Sequence, residues 1–343
     1  MSRRSLTLII ASVGTAAAIA VSVLLPVPYV IEGPGPTLNT LGSSSGTPLI
    51  TISGHPTHPT TGHLNMVTVG VTGGPGVKVN IFRALAAWLN PHDAVVPQAE
   101  IFPPGESPKQ SQQQDTEEMT GSQQLATAAA LTELHIPYAT EVVVVQTVSG
   151  FPAQGVLKAG DVITAVDGKP VTAPSSLTGL IYAHPAGSIL TVTIDRNGTT
   201  RQVRVGTKQS GGHPVMGVEV QQQYKFPFTV TISVGNIGGP SAGMMFALGI
   251  IDKLTTLDLA GGKFIAGTGQ ITAGGQVEAI GGIQQKMVGA RDAGATIFLT
   301  PASNCSDTTG AVPAGLRLVK VSTLSQAVGY LQALAAGKSV PSC

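Results

Sequence analysis

The segment Gly238-Gly239-Pro240-Ser241-Ala242-Gly243 runs straight into Met244-Met245-Phe246-Ala247-Leu248, and that junction limits what the chain can fold into. A run so apolar on every side reads as a helix buried on most of its faces, so other elements must enclose it. Pro240 suits a first helical turn, where no intrahelical donor is lost. The Ser241 hydroxyl is then expected at a helix N-terminus, where unpaired N–H groups and the positive end of the dipole favour a developing oxyanion. A serine hydroxyl attacks poorly at neutral pH unless a neighbour takes its proton, and an amine with a pKa lowered by burial can do so. Lys286 is the candidate. It falls in a second predicted helix, Ile283 to Ala293, ended by Gly294, with Ile283, Met287 and Val288 near it to desolvate the amine. Either segment alone reads as a helix-start signal or a solvated surface lysine; the pair is what points to nucleophilic chemistry.

Composition removes several classes. Of 343 residues, 11% are charged, the net charge is +1 and no basic run occurs, so nucleic acid is not an expected partner. The 43 glycines and 24 prolines imply many turns, while a hydrophobic fraction of 42% still builds cores. Leu6 to Leu25 contains no charge and is long enough, as a helix, to span a hydrocarbon core of ~30 Å. Arg3 and Arg4 precede it and the next cation after it is Lys78, which predicts a cytoplasmic N-terminus and an extracytoplasmic remainder. The alternative is a cleaved signal peptide, with Ala16-Ala17-Ala18 supplying the small residues. An outside location permits oxidation of the only two cysteines, Cys305 and Cys343, to a disulfide. His55, His58 and His63 lie in a proline- and threonine-rich loop without a completing ligand set, so no metal is expected. Nor does the chain carry a phosphate-binding loop, since Gln332 stands where the first glycine before Gly337-Lys338-Ser339 would be needed; neither ATP nor another cofactor is expected.

Along the chain, His63 to Val71 predicts a strand, Val79 to Leu89 a helix, Pro103 to Gln114 a polar surface loop and Ser122 to Leu134 an alanine-rich helix. Glu141 to Val148 predicts another strand, Ser175 to Ala183 a helix, and Leu190 to Arg196 with Arg201 to Gly206 a hairpin about Asn197-Gly198.

Several motifs in order carry a resemblance to the Lon peptidase family over roughly Lys225 to Leu331. They are Pro240-Ser241-Ala242-Gly243, Thr268-Gly269-Gln270-Ile271-Thr272, Ile280-Gly281-Gly282-Ile283-Gln284-Gln285-Lys286 and Ala295-Thr296-Ile297-Phe298-Leu299-Thr300-Pro301. The resemblance implies Ser241 as nucleophile, Lys286 as base and Thr268 as the residue that orients it, with backbone groups of Gly239 and Ser241 at the oxyanion. Gln270 stands where the family has a glutamate. Val148 to Val171, with Gly155, Gly160-Asp161, Ile163 and Gly168 at their spacing, resembles PDZ domains of bacterial proteases. That implies a groove for an extended peptide with a free C-terminus, expected around Tyr138, Ala139 and Val142, or else a spacer or lid.

The order of membrane segment, PDZ module and peptidase resembles the YlbL-like membrane-anchored proteases. The expected fold is α+β: residues 1–28 a cytoplasmic tip and transmembrane helix, 29–135 an external region packing with the peptidase, 136–208 a β-rich, partly open PDZ barrel, and 209–343 the peptidase domain. The expected function is an ATP-independent serine endopeptidase acting on extracytoplasmic or membrane-protein segments. A homo-oligomer accords with the rings that Lon peptidase domains form. The rival expectation is a catalytically silent PDZ scaffold at the membrane.

Overall fold

The computed structural model describes residues 3–44 and 46–343, with the backbone alone for 20–24. Contacts divide the chain into two units, residues 1–136 with 228–343, and residues 137–227.

In the first unit, helix α1 spans Arg3–Leu24. The predicted membrane span falls on it, but the side chains of 20–24 lie outside the described residues. Among the described residues no helix is long and apolar enough to cross a membrane. What the structure supports at this end is a helix. Strand β1 (Pro26–Val27) follows, then β2 (Tyr29–Asn39), β3 (His63–Thr72), β4 (Val79–Asn80), helix α2 (Ile81–Leu89), β5 (Ala94–Pro97) and helix α3 (Pro108–Glu133). Helix α3 starts inside the segment expected as a loop. Ser107 and Gln110 form a reciprocal capping box and Pro108 occupies the first turn, so the glutamine-rich patch is the solvated face of a helix.

The second unit holds β6 (Ala139–Thr147), β7 (Val162–Val166), helix α4 (Pro174–Tyr182), β8 (Ile189–Arg196), β9 (Thr199–Gly206) and β10 (Val218–Lys225). Its sheet runs β9-β8-β7-β6-β10. The β8–β9 turn has both Asn197 (φ 55°) and Gly198 (φ 76°) left-handed, the conformation a two-residue hairpin turn needs. Val142, Val144, Ile163, Leu177, Val192 and Ile194 form the core beneath the sheet. Strand β10 had been assigned to the peptidase by sequence. It instead pairs antiparallel along β6, so residues 209–227 belong to this unit. Its polar Gln221-Gln222-Gln223 gives no period from which to read that pairing.

The chain then returns to the first unit with helix α5 (Gly243–Leu254), β11 (Phe264–Gly267), helix α6 (Ile283–Asp292), β12 (Ile297–Pro301), β13 (Arg317–Val321) and helix α7 (Leu324–Ala335). A six-stranded sheet runs β13-β12-β11-β3-β2-β5. Strands β13, β12, β11 and β3 are parallel; β2 is antiparallel to both its neighbours. The N-terminal strands thus share one sheet with the segment bearing the dyad. A parallel strand covered on both faces is predominantly apolar, and every residue of β12 is buried, Thr300 included. Val67, Ala266, Phe298 and Leu318 pack with Ile283 and Met287 of α6 on one face. On the other face α5 comes so near that a Cβ at Gly267 would lie 2.7 Å from Met245 Sδ and 2.8 Å from Leu299 Cβ. Glycine there is what lets α5 lie directly on β11.

Candidate active site

Helix α5 begins at Gly243 with Ala242 as its N-cap, so Ser241 stands just ahead of the helix and not within its first turn. Two backbone bonds stitch this loop to the end of β11: Gly269 N–H donates to Ser241 O at 2.8 Å and Met244 N–H to Gly269 O at 3.0 Å. From the other side, α3 holds the loop through Ser122 Oγ, which donates to Pro240 O at 2.9 Å. Lys286 is carried by α6, whose N-cap, Gly282, is left-handed at φ 64°; a Cβ there would also lie 2.5 Å from Val69 Cγ2.

These supports bring the expected residues together. Lys286 Nζ lies 2.9 Å from Ser241 Oγ and 3.3 Å from Thr268 Oγ1. Thr268 Oγ1 donates its own hydrogen to Ser241 O at 3.0 Å, so it can only accept from the lysine. One amine hydrogen is thereby engaged with Thr268, leaving the rest of the amine turned toward Ser241. Lys286 is 3% exposed and Thr268 fully buried. Burial lowers the lysine pKa to about 8, against a smaller opposing pull from the Glu32 carboxylate. An amine in this state is available as a base near neutral pH, within reach of a serine hydroxyl.

The dyad opens on a cleft of about 590 Å³ with an apolar lining that includes Met66, Val69, Met119, Ile237 and Ile280. Two carboxylates missed by sequence reasoning, Glu32 on β2 and Asp115 on α3, also line it. Desolvation raises both their pKa values; for Glu32 the Lys286 charge works the other way, and for Asp115 the Glu118 and Glu106 charges add to the rise. The available signal for Glu32 is a lone acid directly after Val30-Ile31 in a strand-forming run. The expected oxyanion pair needs correction at one member. Gly239 N–H already donates to Asp115 O at 3.2 Å, because α3 packs against the loop. Gln270 lines the cleft as a neutral residue.

In the second unit the expected peptide-site residues do not form an open edge. Val142 is fully buried, Ala139 pairs with Lys225, and Tyr138 packs against the rings of Tyr224 and Phe226. The reason is that β6 is an interior strand, paired with β7 and β10. A cavity of about 290 Å³ lies instead beside α4 and the start of β10, lined by Leu177, Ile181, Tyr182, Met216, Val218 and Val220. The signal for it was Val215-Met216-Gly217-Val218, an apolar run broken by a left-handed glycine (φ 75°) ahead of a strand. Among the described residues no group of three histidines, cysteines or acids stands together to hold a metal; His55 lies by Phe228 and His63 stacks on Phe264. Cys305 and Cys343 form a disulfide with Cα atoms 5.1 Å apart.

Residues 218–332 match the Lon protease (S16) C-terminal proteolytic domain. The catalytic unit is a serine peptidase domain. A PDZ domain is matched over residues 113–207. Those bounds begin inside α3 and stop before β10, whereas contacts group α3 with residues 228–343 and backbone pairing joins β10 to β6 in the other unit. Lon protease 2 of Herpetosiphon aurantiacus is 28% identical over 148 residues, 38% of this chain and 18% of that protein. Serine protease Do-like HtrA of Lactobacillus helveticus is 42% identical over 57 residues, 17% of this chain and 14% of that protein. Among solved structures, the PDZ domain of an SdrC-like protein from Listeria innocua is 22% identical, with a TM-score of 0.22, covering 23% of this chain and 92% of that one. The chain spans less than a fifth of the length of these two curated relatives.

Proposed function

We propose that this protein is an ATP-independent serine endopeptidase that cleaves extended segments of extracytoplasmic or membrane proteins. The observation that carries the reading is the buried Lys286 amine 2.9 Å from Ser241 Oγ. In this mechanism the neutral amine accepts the hydroxyl proton as Oγ attacks the scissile carbonyl. The resulting ammonium then protonates the leaving amine, giving an acyl-enzyme. A water molecule enters, Lys286 takes its proton as its oxygen adds to the acyl carbonyl, and the second tetrahedral intermediate collapses as Lys286 returns that proton to Ser241 Oγ, freeing the serine and the new carboxyl terminus. The Ser241 N–H is the loop donor assigned to the oxyanion, since that of Gly239 is taken. Thr268 keeps the amine aimed through both steps.

An extracytoplasmic location is supported by the Cys305–Cys343 disulfide, which persists in oxidising compartments. A membrane tether through α1 is part of the proposal, supported by the exposed apolar side chains Leu6, Leu8, Ile9, Ile10 and Val13. The PDZ unit is proposed to seat substrate C-termini in the cavity beside α4, adding a strand along β10, whose outer edge ends the sheet.

The test is hydrolysis of an unfolded protein by wild type, Ser241→Ala and Lys286→Arg, with and without ATP or a chelator. Arginine keeps the charge but cannot give up its proton, so both variants are expected to be inactive while wild type is indifferent to ATP and chelator. Equal, negligible cleavage by all three would leave the binding-protein reading, for which the α4 cavity is the supporting feature.

A further inference from the structure

Helix α2 is amphipathic the wrong way round for a helix whose only task is to cover a core. Its buried residues are the small Ala84 and Ala87, which pack with Ile31 and Val79. Its large side chains, Ile81, Phe82, Leu85, Trp88 and Leu89, are all exposed, the last two by 72% and 75%. At about 100° per residue these five fall within one sector of about 120° along the helix. A chain with 4% aromatic residues thus places its single tryptophan on the surface, along one edge of an apolar stripe. Nothing in the catalytic arrangement uses this stripe.

Its surroundings say what covers it. Strand β1, which follows directly on α1, pairs with β4, which leads directly into α2: Pro26 stands opposite Asn80 and Val27 opposite Val79. The end of α1 and the start of α2 are therefore tied by one short ribbon, and α1 lies against both α2 and β4. Helix α1 itself presents a broad apolar face, with Leu6, Leu8, Ile9, Ile10, Val13 and Ile19 all about half exposed or more. An exposed apolar face that broad needs an apolar medium, and a stripe adjoining the end of the helix is continuous with that need. Leucine, phenylalanine and tryptophan on one face are also the composition of helices that lie in a membrane interface.

We propose that α2 is an interfacial helix whose Phe82–Leu85–Trp88–Leu89 face sits in the headgroup–acyl boundary of a lipid bilayer, beside the point where α1 enters it. This deepens the membrane tether proposed above and does not require α1 to cross. Docked so, the α2 face would fix which side of the peptidase unit meets the membrane, where a tether alone would let it swing.

Because Trp88 is the only tryptophan, its fluorescence reports on α2 alone. The full chain is reconstituted into vesicles of phosphatidylcholine and phosphatidylglycerol, with or without bromine on the upper acyl carbons, and checked by flotation. Insertion to the ~5–10 Å expected of interfacial helices predicts a blue-shifted emission that brominated lipid largely quenches. The double variant Leu85→Asp/Leu89→Asp is expected to float through α1 and to keep hydrolysing a short soluble peptide, which reports its fold, but to lose the shift and the quenching. A wild-type chain that floats with Trp88 unquenched overturns the inference and leaves the tether standing; a chain that does not float overturns both. Blue-shifted emission that depends on protein concentration and ignores bromine would assign the stripe to a second copy of the chain, which also overturns it.

Discussion

Replacing Lys286 with methionine should abolish hydrolysis and yet stabilise the fold at neutral pH. An exposed lysine titrates near 10.5, whereas burial brings Lys286 to about 8 in the folded protein. At 1.36 kcal/mol per unit, that difference costs the folded state about 3 kcal/mol at pH 7. The sign follows from proton binding. The unfolded chain holds this proton more tightly, so stability rises with pH between about 8 and 10.5, and the full cost is present below 8. By pH 10 only about 1 kcal/mol of the cost remains. Lys286→Met removes the titration with an unbranched side chain of similar length, and forfeits about 1 kcal/mol through the lost polar contacts to Ser241 and Thr268. The variant should therefore be more stable than wild type by about 2 kcal/mol at pH 7 and nearly equal to it at pH 10. Urea denaturation of both proteins at the two pH values, alongside peptide hydrolysis, measures this. A stability difference that stays constant with pH would show that the amine is not desolvated, and would remove the basis for its role as a base.

Glu32→Gln deletes the charge that opposes the depression of the Lys286 pKa, so the rising limb of the rate against pH, expected near 8 in wild type, should move to lower pH; a limb that stays put or moves up would separate Glu32 from the dyad. Thr268→Val removes both the bond to Nζ and the bond to Ser241 O, and should lower kcat on the order of 10–100-fold, with Thr268→Ser recovering most of it. Equal loss in the serine variant would point to packing and not to the hydroxyl. Cys305→Ser opens a bridge between residues 38 apart and should reduce the unfolding free energy by about 4 kcal/mol in urea denaturation, an effect that reduction of the wild type should reproduce.

Local chemistry made much of this protein legible. Apolar α5 had to be buried, glycine and proline had to precede it, and Asn197-Gly198 had to turn a hairpin, because each depends on residues adjacent in sequence. The pairing of Ser241 with Lys286 and Thr268 was legible through motif order, although the three stand on different elements: the loop ahead of α5, helix α6 and the end of β11. Three other features depend on partners distant in sequence. Glu32 enters the cleft because β2 lies beside β3 in that sheet. Gly239 is spent on Asp115 because α3 crosses the nucleophile loop. Val142 is closed to a peptide because β10, more than seventy residues later, covers the strand that carries it. Sequence therefore determined which residues could do the chemistry, through propensity and spacing. Tertiary structure decided which carboxylates share the lysine's field, which N–H remains free and which strand edge stays open, because field, hydrogen-bond occupancy and edge exposure are set by what packs alongside and not by the segment itself.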